Sequence, residues 1–183
     1  QCVGSRDRRE WIDHSYCSSI CCKYAVKDAV LIKEHESTSL VTIFYIDMRA
    51  FGKGFQEFAN RSKSEYGIKY VQSSPGEIRE NHETNNLEIW FENTVTSEVQ
   101  SHEFDMVVLS TALVAPKENQ SLAKILGIEL DPYGFILARS AVMGIFDTTV
   151  EGIYGCGYCI GPRSGDVPDS VMQGSAAAVR VAE

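Results

Sequence analysis

The sequence predicts an α/β fold, and three features of the chain support that prediction. Residues 1–73 alternate between strand-like runs and helical patterns, as parallel sheets with covering helices do. Residues 76–102 contain three short segments separated by turn residues, which predict an antiparallel meander. The last third contains a strand ending in glycines and then a helix rich in small residues. A chain of 183 residues can bury one good core or two small ones.

The first part of the chain predicts the order strand–helix–strand–helix–strand. Residues 1–5 have the pattern of a strand end, and Tyr24–His35 repeats apolar residues at helical spacing. Leu40–Asp47 is an almost continuous β-branched and aromatic run, typical of a strand buried on both faces. A second helix is predicted over Phe55–Tyr66 and a strand over Ile68–Gln72. This order is the half-unit of a Rossmann-like domain.

The middle of the chain predicts an antiparallel meander followed by one more buried strand. The meander segments are Gly76–Glu80, Leu87–Glu92 and Glu98–His102, with a hairpin turn at His82–Asn86. The buried strand is predicted over Phe104–Ser110. A meander inserted into a βαβ sheet is the layout of nucleotide-binding domains in flavoproteins that bind two dinucleotides.

The last third predicts a mixture of short elements. A short helix over Leu122–Gly127 should end at its glycine, and Phe135–Arg139 suggests a loop and a strand. Thr149–Gly157 predicts a strand ending in glycines, and a helix should begin at Val167. Because the final helix over 175–183 has no C-terminal cap, we expect the chain to be a piece of a longer protein.

Charge and hydropathy narrow the range of functions. The net charge is −8 and no basic run is present, which argues against a nucleic-acid surface. No apolar stretch reaches the roughly 18–20 residues needed to span a bilayer. The chain has no signal peptide and is not dense in cysteine, so we expect a cytoplasmic protein with reduced thiols.

Four of the six cysteines lie in the first 22 residues, with the spacing C-x14-C-x3-C-C. Neighbouring thiolates can bind different irons of one iron–sulfur cluster, and four thiolates are the usual complement of a [4Fe–4S] centre. We therefore predict a cluster held by Cys2, Cys17, Cys21 and Cys22. A zinc site, a redox-active dithiol and unligated thiols remain alternatives.

The position of these cysteines adds to their meaning. A nucleotide-binding domain carries G-x-G-x-x-G between its first strand and first helix, where backbone amides hold pyrophosphate. Here residues 4–22 occupy that position without the glycine pattern. We expect the cluster to replace the dinucleotide site, with Asp47 as a turn residue at a strand end rather than a ribose ligand. Trp11 is expected to pack against the cysteine loop, and His14 to be a solvated loop residue.

Segments throughout the chain closely resemble the A-type subunit of heterodisulfide reductase; they are Gln1–Arg6, Tyr16–Cys22, Ala50–Gly54, Gly152–Gly157 and Pro168–Val171. The double cysteine is the specific part of this pattern. The subunit is a much longer flavoprotein of thioredoxin-reductase type with ferredoxin-like segments. It passes electrons through FAD and several [4Fe–4S] clusters, and in methanogens its complexes perform electron bifurcation. The resemblance implies that this chain is a middle-to-late slice of the flavoprotein region.

The resemblance also implies a second site, for FAD. Related flavoproteins follow the glycine-ended strand with Gly-Asp, whose acid contacts FAD, whereas here Tyr158 follows Gly157. Amides at the start of the last helix would face the flavin, where a helix N-terminus favours negative charge. FAD is expected only in the full-length parent, because this chain lacks the FAD-binding G-x-G-x-x-G. The implied residues are Gly155, Cys156, Gly157, Val167, Pro168, Asp169 and Ser170.

The expected domains are a nucleotide-binding-like domain with the cysteine loop over 1–115, and the C-terminal part of an FAD-binding domain over 116–183. The implied function is electron relay between FAD and the cluster, toward reduction of a thiol-coenzyme heterodisulfide or a related acceptor. The isolated segment of this oxidoreductase is expected to be inactive. Implied partners are other heterodisulfide reductase subunits and a hydrogenase or formate dehydrogenase module, and homodimer formation is left open.

Two other functions remain open at this stage. One is an NAD(P)H-dependent disulfide reductase of thioredoxin reductase type, with Cys156/Cys159 or Cys17/Cys21 as its dithiol. Cys156 and Cys159 form a C-x-x-C pair, but they lie near the C-terminal end, where small residues approaching a cofactor are the better interpretation. The other is a non-catalytic assembly module in which zinc fastens the N-terminal loop.

Overall fold

The fold comprises two units, each with its own internal contacts. The computed structural model of the chain describes residues 1–7, 9, 14–162 and 166–182. Unit 1 consists of Gln1–Val3 and Cys21–Thr111, and unit 2 consists of Gly4–Ile20 and Ala112–Glu183. The described residues of the loop 4–20 are therefore grouped with unit 2 and not with the helix that follows them. The division at 115/116 stays a prediction about the domains of the longer protein.

Unit 1 contains the predicted parallel strand pair and its two helices. Strand β1 (Thr42–Tyr45) pairs in parallel with β2 (Lys69–Gln72), and the helices are α1 (Cys21–His35) and α2 (Phe55–Ser64). Ile43 and Phe44, which are adjacent in β1, are buried in different clusters, and this confirms a strand covered on both faces. Burial of each of these side chains contributes about 1.5–3 kcal/mol to the free energy of unfolding. The first cluster contains Val26, Ala29, Val30, Ile43, Ala59 and Ile68, and the second contains Phe44, Ile89 and Phe91.

The N-terminal segment of unit 1 makes backbone hydrogen bonds on two sides. The nitrogen of Gln1 donates to the carbonyl oxygen of Phe44 at 2.9 Å, and that of Val3 donates to Ser110 at 3.1 Å. Val3 also forms an isolated parallel bridge with Thr111. The segment that carries Cys2 is thus fixed against both β1 and residues 110–111.

The strand predicted over Phe104–Ser110 is wrong. Strand β5 (Glu98–Phe104) ends where the predicted strand begins, and residues 105–110 have no strand conformation. Met106 is 71% exposed and Val108 is 63% exposed, so this apolar run is not buried. The physical reason is that a strand needs consecutive pairing, whereas this segment meets residues 1–3 through a single bridge.

The antiparallel meander of unit 1 is confirmed. Strands β3 (Glu77–Asn81), β4 (Asn86–Asn93) and β5 pair in that order. The hairpin between β3 and β4 is a tight turn in which Asn85 has φ 58°, a left-handed conformation that asparagine tolerates. The Oδ1 of Asn81 accepts a hydrogen bond from the N–H of Glu83 at 3.0 Å and closes the turn.

Unit 2 contains helices α3 (Asn119–Leu126) and α4 (Val167–Ala182), both close to their predicted positions. Gly127, with φ 71°, ends α3 as expected. The strand predicted over Thr149–Gly157 is wrong, because the chain turns back on itself at Gly152, which has φ 82°. The hydroxyl of Thr148 donates to the carbonyl of Ile153 at 2.9 Å and closes that turn.

Outside α3 and α4, the described residues of unit 2 form isolated bridges and a short 3-10 helix. Bridges join Leu130 to Ile136 and Ala138 to Thr148, so the loop predicted over Phe135–Arg139 is present but the predicted strand is reduced to isolated bridges. The 3-10 helix (Gly157–Ile160) follows the turn. Among the described residues, no helix is long and apolar enough to cross a membrane.

Candidate metal and cofactor sites

Three of the four predicted cluster ligands meet inside unit 1. Cys21 and Cys22 are the first two residues of α1, and Cys2 lies on the N-terminal segment. Their residues are 1%, 3% and 8% exposed, respectively. The sulfurs of Cys2 and Cys21 are 3.9 Å apart. Cys2 has φ 62°, an uncommon conformation for a residue other than glycine, and such backbone strain clusters at functional sites.

The surroundings of Cys21 favour a negative charge on its sulfur. Hydrogen bonding with the side chains of Cys2 and Cys22 lowers the pKa of Cys21. The pKa of Cys2 is raised, because its proton is held in the bond to Cys21 and because burial disfavours the thiolate. The first turn of α1 has no acidic residue, so the positive end of the helix dipole acts on the sulfurs without a competing charge.

The loop after β1 supplies polar neighbours to Cys22. The backbone N–H of Arg49 donates to the Cys22 sulfur at 3.4 Å, and the Cys22 thiol faces the carbonyl oxygen of Asp47 at 3.7 Å. The carboxylate of Asp47 accepts a hydrogen bond from the Nε of Arg49 at 2.9 Å. Asp47 therefore lies in the turn as expected, with its side chain engaged by Arg49. Sequence reasoning did not identify Arg49, since a backbone N–H carries no signal in the residue type.

The fourth predicted ligand, Cys17, belongs to unit 2 and is half-buried. The N–H of Ser19 donates to its sulfur at 3.4 Å, and the Ser19 hydroxyl donates to the carbonyl of Pro162 at 2.9 Å. The hydroxyl of Tyr158 donates to the carbonyl of Ser18 at 3.1 Å. These bonds fix the backbone around Cys17 to the segment 158–162.

The complete ligand set stays a prediction. Within the described ranges, no group of three or more His, Cys, Asp or Glu side chains is arranged to hold a metal ion. In the same ranges, buried side-chain polar atoms without a hydrogen-bond partner include Gln1 Nε2, Ser5 Oγ and Ser18 Oγ, each within three residues of a predicted ligand. His14 contacts the carbonyl oxygen of Gly4 through Nδ1 at 3.1 Å. Trp11 lies outside the described residues.

The glycines predicted to approach FAD have partners within unit 2. A Cβ on Gly155 would lie 2.6 Å from the Cγ2 of Ile160, so a larger residue would not fit without a shift. The N–H of Gly157 donates to the Oε1 of Gln173 at 2.9 Å, which holds this segment against α4. Gln173 is buried, and its role was not found from the sequence.

The start of α4 is capped by a residue that sequence reasoning missed. The Oδ1 of Asp166 accepts from the N–H of Asp169 at 2.9 Å, and the Asp166 carbonyl accepts from the N–H of Ser170 at 3.1 Å. An acid immediately before the first helical residue was the available signal. Val167 is 76% exposed and Pro168 is exposed as well. Residues 163–165 of the preceding loop lie outside the described ranges.

The C-x-x-C pair lies at the 3-10 helix. Cys156 is exposed, and the thiol of Cys159 donates to the carbonyl oxygen of Cys156 at 3.0 Å. Burial raises the pKa of Cys159, which is the opposite of the change that activates a redox thiol.

Comparison with known proteins places this chain beside one group of sequences. No protein-family model matches it. It is 42% identical over 182 residues to the second A-type iron–sulfur subunit of CoB–CoM heterodisulfide reductase from Methanopyrus kandleri, a match that covers 100% of this chain. It is 41% identical over 182 residues to the A-type subunit of the H2/formate:CoB–CoM heterodisulfide,ferredoxin reductase of Methanococcus maripaludis, again over 100% of the chain. Identity to the A-type subunit of the ferredoxin:CoB–CoM heterodisulfide reductase of Methanosarcina acetivorans is 38% over 180 residues, or 98% of the chain.

The chain spans only part of each of these relatives. It covers 27% of the first two proteins and 22% of the third. Among solved structures, thioredoxin reductase from T. acidophilum matches with a TM-score of 0.60 and 20% identity, over 91% of this chain and 55% of that one. This likeness confirms the predicted Rossmann-like α/β fold. The sequence matches, which extend over the whole chain, confirm the resemblance as well, and the chain belongs to the family of A-type heterodisulfide reductase subunits.

Proposed function

We propose that this chain is an electron-transfer segment of an iron–sulfur flavoprotein, in which Cys2, Cys17, Cys21 and Cys22 hold one [4Fe–4S] cluster. The observation that carries the proposal is the meeting of three buried thiols at the start of α1. A nucleotide-binding domain presents its phosphate loop at that position. The name of one relative includes the words iron–sulfur and the names of two others include ferredoxin, which supports the same chemistry.

The donor set fits such a group. Thiolates are soft ligands that suit iron–sulfur clusters and zinc, and deprotonated sulfurs are needed for either. The dipole of α1 and the N–H of Arg49 stabilise negative charge on the sulfurs, and burial shields them from solvent. A bound cluster would supply reversible one-electron transfer at a potential set by its surroundings.

We further propose that unit 2 provides the flavin-facing part of an FAD site in the full-length parent. The residues are Gly155, Cys156, Gly157 and the start of α4 from Val167 to Ser170. The hydrogen bond from Gly157 to Gln173 supports this proposal, because it holds the two segments together. The amides of Gly157 and Asp169 are already engaged, so α4 would act on the flavin through its dipole.

The activity and partners of the whole protein are proposed from its relatives. One relative is named for H2 or formate, a CoB–CoM heterodisulfide and ferredoxin. We propose that the parent of this chain relays electrons toward a thiol-coenzyme heterodisulfide or a related acceptor. Its partners would be other heterodisulfide reductase subunits and a hydrogenase or formate dehydrogenase module. Its location would be the cytoplasm, where thiols stay reduced.

The decisive experiment is metal analysis of anaerobically purified protein. We expect about four irons and about four acid-labile sulfides per chain, and no stoichiometric zinc. One zinc per chain without iron would instead identify a structural zinc module. Titration with NADH should show no tight binding, since tight binding would contradict replacement of the dinucleotide site by the cluster.

A further inference from the structure

The sulfur of Cys22 lies among polar groups from two segments of unit 1. Besides the Arg49 N–H at 3.4 Å and the Asp47 carbonyl at 3.7 Å, the thiol faces the Oε1 of Gln1 at 3.5 Å. A thiol has one proton, so it can donate to only one of the two oxygens at a time. The arrangement around Cys22 therefore depends on whether its sulfur is a donor or an acceptor.

The side-chain amide of Gln1 is placed so that it could donate a hydrogen bond to the Cys22 sulfur. Its Nε2 is buried and has no hydrogen-bond partner within the described part of the chain, whereas its Oε1 faces the thiol. Buried donors without a partner are rare. When Cys22 ligates the cluster its sulfur carries no proton, and a half-turn of the amide presents Nε2–H to the sulfur. The same rotation moves the oxygen into the buried position, where a missing partner is tolerated better.

The second donor is the backbone N–H of Arg49, which lies in the loop after β1. The ion pair between Asp47 and Arg49, at 2.9 Å, joins the two sides of the turn that presents the Arg49 N–H. Because that donor belongs to the backbone, every residue except proline would supply it. The side chain and the N–H of Arg49 can therefore be tested separately.

We infer that Gln1 and Arg49 are positioning residues that donate two N–H···S hydrogen bonds to Cys22 when it ligates the cluster, and that they raise the cluster's reduction potential. This inference rests on the proposed function, which makes Cys22 a ligand. Hydrogen bonds to ligand sulfurs are among the factors that set cluster potentials. They stabilise the negative charge added on reduction, so their loss should make reduction harder.

The test is a redox titration of the anaerobically purified protein, followed by the electron paramagnetic resonance signal of the reduced cluster. Gln1→Leu removes the amide donor at a similar side-chain volume, and Arg49→Pro removes the backbone donor. Arg49→Ala is the matched control, because it deletes the guanidinium and keeps the N–H. We expect Gln1→Leu and Arg49→Pro each to disfavour reduction by about tenfold, or about 59 mV for one electron. Arg49→Ala should stay within about twofold of the wild type.

The outcomes separate this inference from the proposed function. Wild-type protein without iron would overturn the proposed function and this inference with it. Wild-type iron content with unchanged potentials in Gln1→Leu and Arg49→Pro would overturn this inference alone. An equal shift in Arg49→Ala and Arg49→Pro would assign the effect to the charge and contradict the Arg49 donor. If Arg49→Pro fails to fold, Gln1→Leu decides the matter, since it leaves the backbone of the loop unchanged.

Discussion

Two regions differ in how many of their buried polar groups have hydrogen-bond partners. One is the cysteine site of unit 1, around Cys2, Cys21 and Cys22; the other is the segment of unit 2 that joins Gly155–Gly157 to the start of α4. In unit 1, three thiols are buried together and the Nε2 of Gln1 has no partner within the described residues. In unit 2, the N–H of Gly157 is taken by Gln173 and that of Asp169 by Asp166. Buried polar groups are normally paired. The comparison teaches that the first site keeps a buried donor without a partner, whereas the two amides of the second are already paired.

The largest expected effect is the loss of iron when a proposed ligand of the cysteine site is removed. Cys21→Ala and Cys17→Ala should each lower the iron content of the anaerobically purified protein by at least about tenfold, because loss of an outer-sphere partner alone typically costs that much. Cys156→Ala is the control, since it removes an exposed thiol that we do not propose as a ligand. Iron and sulfide analysis checks the result. Full iron content in Cys17→Ala would remove Cys17 from the ligand set.

Removal of the cluster should affect hydrogen exchange in unit 1 and leave α3 of unit 2 unchanged. Hydrogen exchange of the amides in the first turns of α1 (Cys21–His35) should become at least about tenfold faster after chelation, because a bound group stabilises the state that binds it. The amides of α3 (Asn119–Leu126) should exchange at an unchanged rate and serve as the internal control. Mass spectrometry of exchanged peptides provides the measurement. Equal loss of protection in both helices would contradict the comparison.

The stability of unit 2 should fall when a side chain is added at Gly155, where the backbone packs closely against Ile160. Gly155→Ala places a Cβ 2.6 Å from Ile160, and overpacking of this kind lowers the free energy of unfolding by about 1–3 kcal/mol. Gly174→Ala is the matched control, since no atom lies within 4 Å of its added Cβ and the residue lies inside α4. That change should stabilise by about 0.5–1 kcal/mol. Urea unfolding measures both, and a stable Gly155→Ala would show that Ile160 yields readily.

The sequence predicted the elements of this fold where their own pattern determines them. The parallel strand containing Ile43 and Phe44 was predictable, because a nearly continuous apolar run is typical of a strand that is buried on both faces. The run at 105–110 is also largely apolar, and the run at 149–157 contains Val150, Ile153 and Tyr154, yet neither forms a strand. Apolar character can be recognised locally, whereas a strand also requires a neighbour of sufficient length. That neighbour depends on the rest of the fold.

The candidate sites follow the same division. The spacing of the cysteines predicted that Cys2 and Cys21 meet, and their sulfurs are 3.9 Å apart. The contacts of Gln1 and Arg49 with Cys22 involve an amide and a backbone N–H, which have no distinctive sequence pattern. Asp166 is different, because an acid immediately before the predicted helix start at Val167 was a usable signal that the prediction did not use.

The smallest expected effect concerns the helix cap at Asp166, which belongs to the second of the two regions compared. Asp166→Ala should lower the free energy of unfolding by about 1 kcal/mol, because the N–H of Asp169 loses its acceptor at the start of α4. Asp166→Asn is the matched control and should stay within about 0.5 kcal/mol of the wild type, since asparagine caps about as well as aspartate. The two variants, compared by urea unfolding, separate the hydrogen bond from the charge. If asparagine destabilises as much as alanine, the carboxylate's attraction to the helix dipole matters more than its bond to Asp169. An unchanged stability in Asp166→Ala would mean that α4 is held by its packing through Gln173 and Ala177 alone.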